Sequence, residues 1–287
     1  MDLTLDILFT GFAFAAVLYL ISVGLSITMG MLGVINLAHG TFAVAGGYLA
    51  WLFIHRFGLS FYSSVAVAVV LVGLASVVLE KLLFARVYEA GELAQVLLTI
   101  GIVFISIAVA HFFFGSQPLT ISPPDSLKGN IYFHGNSFAI YRIALIVLGL
   151  LIYVLLWLGI DRTEVGARIR AVVDNRAMAE NCGINSRRLF TVVFACGGGV
   201  AALGGAVGSS ILGLSPSYPL EYLVYFLIVV SIGGMGTVSG TALAALLLGF
   251  GDTLCKVLLP QFGVFFIYIA TIVILFIRPH GLFNRKM

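Results

Sequence analysis

The sequence predicts an all-α fold, a polytopic bundle of transmembrane helices forming a single domain over residues 1–287. Three observations carry that reading. Hydrophobic residues fill 61% of the positions and charged ones 9%, a balance that no water-facing surface could carry. Apolar runs long enough to cross the hydrocarbon as a helix, about 20 residues, recur along the whole chain. They are continuous and not alternating, which excludes a β-barrel. The net charge of +3 is too small and too dispersed to point to nucleic acid.

The runs fall at 7–29, 36–54, 61–79, 93–114, 140–160, 189–212, 222–235, 238–255 and 262–277. The first follows Asp2 and Asp6 with no basic flank and no small-residue cleavage site, so it is expected to be a mature span. The second is reached through GMLGVINLAHGTFAVAGGY, Gly30 to Tyr48, which sets Asn36 and His39 among glycines in a nearly uncharged region. Residues 115–139 hold three prolines and a β-prone stretch, Asn130 to Phe133. They predict an external loop with a small hairpin that a soluble partner could meet; a plain connector is the other reading. In loop 161–188, Val165, Ile169, Val172 and Val173 recur at helical spacing among arginines and acids, which predicts an amphipathic helix at the cytoplasmic surface. NCGINS, Asn181 to Ser186, supplies the breaker.

The run 189–212 carries Gly197, Gly198, Gly199, Gly204, Gly205 and Gly208, a helix face with almost no volume. It is expected to sit centrally and pack closely, or else to kink at a gate. Gly233-Gly234-Met235-Gly236 parts the next two runs as a tight turn between two helices or a break within one pass, giving eight or nine crossings. Lys and Arg crowd 161–188, and recur at Lys81 and Arg86 and in the tail at Arg278, Arg285 and Lys286, so these regions are expected in the cytoplasm with the N-terminus outside. Arg56, Lys128 and Arg142, and Lys256 if there are nine crossings, fall on the other side. Cys182, Cys196 and Cys255 lack any spacing that suggests a disulfide framework or a metal site.

Absences narrow the function. The spans hold almost no acidic residues, which argues against an ion-coupled transporter or pump; Asp252 is the exception, and Lys256 one turn later is expected to pair with it near an interface. None of the four lysines follows a glycine, so no Gly-Lys-[Ser/Thr] phosphate cradle can form. A subunit that provides a pathway, and docks its basic cytoplasmic helix on a separate ATPase, accounts for both. Irregular backbone at membrane depth is tolerated where it faces protein or a wet cavity, and broken helices are a recurring way to handle polar substrates. Asn36, His39, Thr41 and the glycines Gly40, Gly46, Gly47, Gly233, Gly234 and Gly236 are therefore candidates for a substrate path or its gate. Asn36 and His39, three apart, would share a helical face. The competing reading makes Asn36 a helix cap and gives His39 a neighbouring carbonyl. A weak internal echo links MLGVINLAHGTFAVAGGYL with GMGTVSGTALAALLLGF.

Four stretches in order resemble a known family: Ile35 to Gly40; Gly166, Arg170, Asp174, Ala179, Gly183 and Ile184; Gly233 to Gly240; and Arg278 to Phe283. The sequence is similar to the smaller permease subunit of bacterial branched-chain amino acid ABC importers, a family that also includes urea and short-chain amide permeases. The resemblance implies an inner-membrane complex of this chain, a paralogous second permease, two cytoplasmic ATP-binding subunits and a periplasmic substrate-binding protein. It also implies that ATP and Mg act on the partner subunits, with no cofactor bound here and no catalytic residue. Gly166, Arg170, Asp174, Ala179, Gly183 and Ile184 then correspond to the ATPase-coupling region. Ala177-Met178-Ala179 stands at the family's spacing before Gly183, but the usual Glu is missing and one of the arginines is expected to take its place. The runner-up is an ATP-independent channel or facilitator.

Overall fold

The computed structural model describes residues 3–33, 36–88, 90–133, 136–263, 265–278 and 281–282. Helices α1 (Leu3–Leu32), α2 (His39–Phe57) and α3 (Phe61–Leu79) come first; α3 continues through a π turn at Glu80–Phe84 into the short α4 (Ala85–Val87), ahead of α5 (Glu92–Phe114). An antiparallel ribbon of β1 (Asn130–Phe133) and β2 (Asn136–Ala139), with Ile131 opposite Phe138, leads into α6 (Ile140–Asp161). Then follow α7 (Glu164–Asp174), α8 (Arg176–Asn181), α9 (Ser186–Leu212), α10 (Tyr218–Glu221), α11 (Leu223–Gly233), α12 (Val238–Leu258) and α13 (Phe266–Ile277). Among the described residues six helices are long and apolar enough to cross a membrane, and Tyr218–Gly233 and Phe266–Ile277 are shorter apolar pieces.

Local chemistry sets the starts. Ser60, Thr163, Asn175 and Asn185 each accept a backbone N–H in the first turn of α3, α7, α8 and α9. One open choice is settled and two expectations are revised. Residues 222–235 and 238–255 form two separate helices, α11 and α12, because Gly234 and Gly236 adopt positive φ and turn the chain. The helix expected across 166–184 is two helices: the extended backbone of Asn175 (φ −156°, ψ 98°) ends one, and its side chain caps the next through Met178 N at 3.0 Å. Within α7, Ile169 and Val172 are buried, but Val165 is half exposed.

Short connections reverse the helix direction, so the turns collect at two ends. At one end Tyr62 Oη meets Ser126 Oγ at 2.7 Å, Leu119 and Leu214 exchange two backbone bonds, and Arg142 bonds Asp6 at 3.1 Å and Thr10 at 2.7 Å. At the other, Gly236 N donates to Ser26 O at 2.9 Å and Leu282 N to Ile232 O at 2.7 Å. Arg285 and Lys286, and Ile35, Pro279, His280 and Phe283 of the family motifs, lie outside the described residues.

Helices α1 and α9 form the centre: 78% of the α1 span and 67% of the α9 span are buried, against 11% for α6. Glycine makes this possible. A Cβ on Gly24 would stand 2.5 Å from Gly197 O, one on Gly46 2.4 Å from Ala202 O, and one on Gly205 1.9 Å from Ala43 O. Backbones therefore touch where α9 crosses α1 and α2, the packing that small residues permit when lipid supplies no hydrophobic drive between helices. Gly205→Ala should lower unfolding stability in detergent by about 1–3 kcal/mol through overpacking. Gly101→Ala, where an added Cβ meets nothing within 4 Å, should leave stability unchanged or slightly raised.

Candidate functional site

Helix α2 begins inside the bundle. His39, its first residue, sets Nε2 3.1 Å from Ile21 O, and Ile21 lies eleven residues before the end of α1, about 16 Å along the axis. The chain leaving α1 therefore turns back along it before α2 starts. Asn36 precedes the helix, so it and His39 do not share a helical face as the spacing suggested; Asn36 Oδ1 instead accepts Ala38 N at 3.1 Å. Both side chains are buried. Thr41 Oγ1 meets Ser106 Oγ of α5 at 3.2 Å. A Cβ on Gly40 would lie 3.2 Å from Pro219 Cα, and one on Gly47 2.3 Å from the Leu214 side chain. The stretch from Leu214 to Pro219 thus runs antiparallel along α2 toward its start, and α10 and α11 also begin within the bundle.

This junction of α1, α2 and α10 is polar without being fully paired. Ser22 Oγ, Asn36 Nδ2, His39 Nδ1 and Tyr218 Oη are buried and have no hydrogen-bond partner among the described residues. A buried unpaired donor or acceptor costs about 1–3 kcal/mol, so the junction is poised to gain from rearrangement or from a polar visitor. Gly233, Gly234 and Gly236 lie elsewhere, in the α11–α12 turn, where a Cβ on Gly30 would fall 2.3 Å from Gly236 Cα.

The α6–α7–α8 corner is built around one carbonyl. Ile160 O accepts from Arg170, and a Cβ on Gly166 would stand 1.8 Å from the same oxygen. Asp174 is the last residue of α7, next to the break. Ala179 is buried, and its carbonyl accepts Ile184 N at 3.0 Å while Glu180 O accepts Gly183 N at 3.0 Å. Gly183 holds φ +83°, a conformation side chains disfavour, so this is a Schellman end to α8. Glu180 accepts from Ser186 and, at 3.0 Å, from Arg176, which joins α8 to the start of α9.

Comparison with known proteins accords with this architecture. The family described as branched-chain amino acid transport system permease component matches residues 7–277. The chain belongs to that family. The permease is 24% identical to the high-affinity branched-chain amino acid transport system permease protein BraD of Pseudomonas aeruginosa, over 93% of this chain and 91% of that protein. It is 24% identical to the probable branched-chain amino acid transport permease protein LivH of Methanocaldococcus jannaschii, over 94% and 89%. With the LivH protein of Escherichia coli K12 the identity is 22%, over 97% and 94%. No solved structure matches.

One polar network in the permease lay outside the sequence reading. Glu80, on the π turn, is buried and takes hydrogen bonds from Tyr88 Oη at 3.0 Å and Thr191 Oγ1 of α9 at 2.8 Å. Burial, and then the Glu80 charge, raise the Tyr88 phenol far above its usual range and keep it a donor. Gln95 Nε2 gathers the carbonyls of Val87, Tyr88 and Ala90, and Arg176 stacks over Phe190, 5.8 Å from which Tyr88 stands edge-on. The start of α5 is thereby tied to the α8–α9 corner. Glu80 falls just past the end assigned to the 61–79 run; the continued apolar stretch Leu82–Phe84 was the available signal.

The Glu180 carboxyl is held below its ordinary value of 4.5, chiefly by the Ser186 hydrogen bond and then by Arg176. A depressed folded pKa means the contribution is fully present above the unfolded value and is lost as pH falls through the lower folded value. Hydrogen-exchange protection of the α8–α9 corner should therefore be flat from neutral pH down to the ordinary carboxylate range and fall only below it. In Ser186→Ala the fall should be smaller and be complete at a higher pH.

Proposed function

We propose that this chain is the pathway-forming permease subunit of an ATP-driven importer for branched-chain or related amino acids in the bacterial plasma membrane. The observation that carries the reading is the family match over nearly the whole chain. A paralogous permease completes the pathway, two ATP-binding subunits sit on the cytoplasmic side and hold ATP and Mg, and a periplasmic binding protein delivers substrate to the end bearing residues 115–139.

The charge distribution supports this orientation. Lys81, Arg86, Arg162, Arg168, Arg170, Arg176, Arg187, Arg188 and Arg278 belong to one end of the bundle and Arg56, Lys128, Arg142 and Lys256 to the other, so the α7–α8 end faces the cytoplasm. The chain then crosses nine times as a single domain, counting α10–α11 as one pass, with its N-terminus outside. Asn36, His39, Thr41, Gly40, Gly46 and Gly47, together with the Gly233–Gly236 turn, serve the path or its gate. The corner that holds Gly166, Arg170, Asp174, Ala179, Gly183 and Ile184 receives the stroke of the ATPase. Its arginines stand where the family's Glu is missing.

Reconstituted with its partners, the complex should take up leucine with ATP, and the chain alone should transport nothing. Uptake by the lone chain without nucleotide would favour a facilitator, and uptake of urea or amides in place of leucine would reassign the substrate. Arg170→Gln combined with Gly183→Val should cut uptake by about tenfold or more and lose ATPase co-purification while membrane insertion stays intact. Normal uptake in that variant would remove the coupling assignment.

A further inference from the structure

Near the end of α12 that the proposed function places outside, the bundle buries a charge that is only half used. Asp252 is 1% exposed. Its Oδ2 binds Lys256 Nζ at 2.6 Å, whereas Oδ1 is buried with no hydrogen-bond partner among the described residues. Lys256 is half exposed, and its ammonium stands 5.8 Å from the centre of the Phe14 ring. Phe14 meets Tyr225 edge-on at 6.5 Å, and Tyr225 meets Tyr222 at 6.0 Å. Asp252 lies six residues before the end of α12, about 9 Å in from that end. It therefore lies within the last two turns of the helix.

A carboxylate and an ammonium one helical turn apart, walled by aromatic rings, form the complement of a zwitterion. We infer that Asp252 and Lys256 form a binding site for a free amino acid with an apolar side chain. Its ammonium binds Asp252 Oδ1, its carboxylate binds Lys256, and its side chain packs on Phe14 and Tyr225. The exchange replaces one ion pair with two and adds no net charge to an apolar setting, which a lone cation or anion could not do. A metal ion fits poorly, because among the described residues no group of three His, Cys, Asp or Glu side chains comes together. This inference rests on the importer reading and names the residues that would meet its cargo first.

The test uses the complete importer in proteoliposomes with leucine as the probe. Asp252→Asn should lower uptake by about tenfold, the loss of one charge-assisted contact, while ATPase co-purification stays within about twofold. Exchanging the charges, Asp252→Lys with Lys256→Asp, should keep assembly but not recover uptake, because the zwitterion would meet its two poles reversed. Uptake restored by that exchange, or unaffected in Asp252→Asn, would reduce the pair to a structural one and overturn the site alone. Absence of wild-type leucine uptake would overturn the importer reading and this site with it. If the variants fail to assemble, the wild-type complex decides: leucine, but not an equal concentration of aspartate, whose free amine consumes the reagent equally, should slow modification of Lys256 by an amine-reactive reagent by about fivefold. An unchanged rate would overturn the site.

Discussion

The contact between the backbones of α9 and α1, where Gly24 and Gly197 leave no room for side chains, is the constraint on which the other parts depend. Inside a bilayer a helix gains little by hiding apolar surface from lipid tails that are equally apolar, so close packing and internal pairing must hold the bundle. Because α9 carries small residues over most of its buried length, it can press on α1 and α2 at once. Larger side chains there would push the three apart, and the irregular stretch ahead of α2 would open to hydrocarbon.

That central helix also links the two regions of interest. Its first residues are held by α8 through Ser186, Glu180 and Asn185, and its middle carries the crossings with α1 and α2 beside which His39 and Thr41 lie. Thr191 extends the same helix to Glu80 and, by way of Tyr88 and Gln95, to α5. The hydrogen-bonded connections from the α7–α8 corner to α9 and α5 thus begin at the exposed Glu180 and Asn185 and continue through the buried Ser186, Glu80 and Gln95.

The fold was largely legible because membrane burial writes itself into composition. The long apolar runs, the glycine-lined α9, the ribbon at Asn130 and the pairing of Asp252 with Lys256 all follow from local spacing. What escaped was three-dimensional. Nothing in the neighbourhood of Asn36 announces that the chain doubles back along α1 so that His39 reaches Ile21, since that depends on a partner eighteen residues away. The break at Asn175 was hidden because the apolar spacing runs up to Val173 without interruption, and only the extended backbone of that residue reveals the stop. Glu80 escaped because its two partners come from separate elements, one of them 111 positions away. For the candidate site, residue types were readable from sequence; which of them meet was not.

The bridge between Leu119 and Leu214 has a mechanical meaning. Two main-chain bonds, 2.9 and 2.8 Å long, stitch the 115–139 loop to the chain that leads into α10, and Leu214 in turn fills the notch at Gly47. The loop is thereby tethered, through main-chain bonds and one packed side chain, to α2 and to the approach to α10.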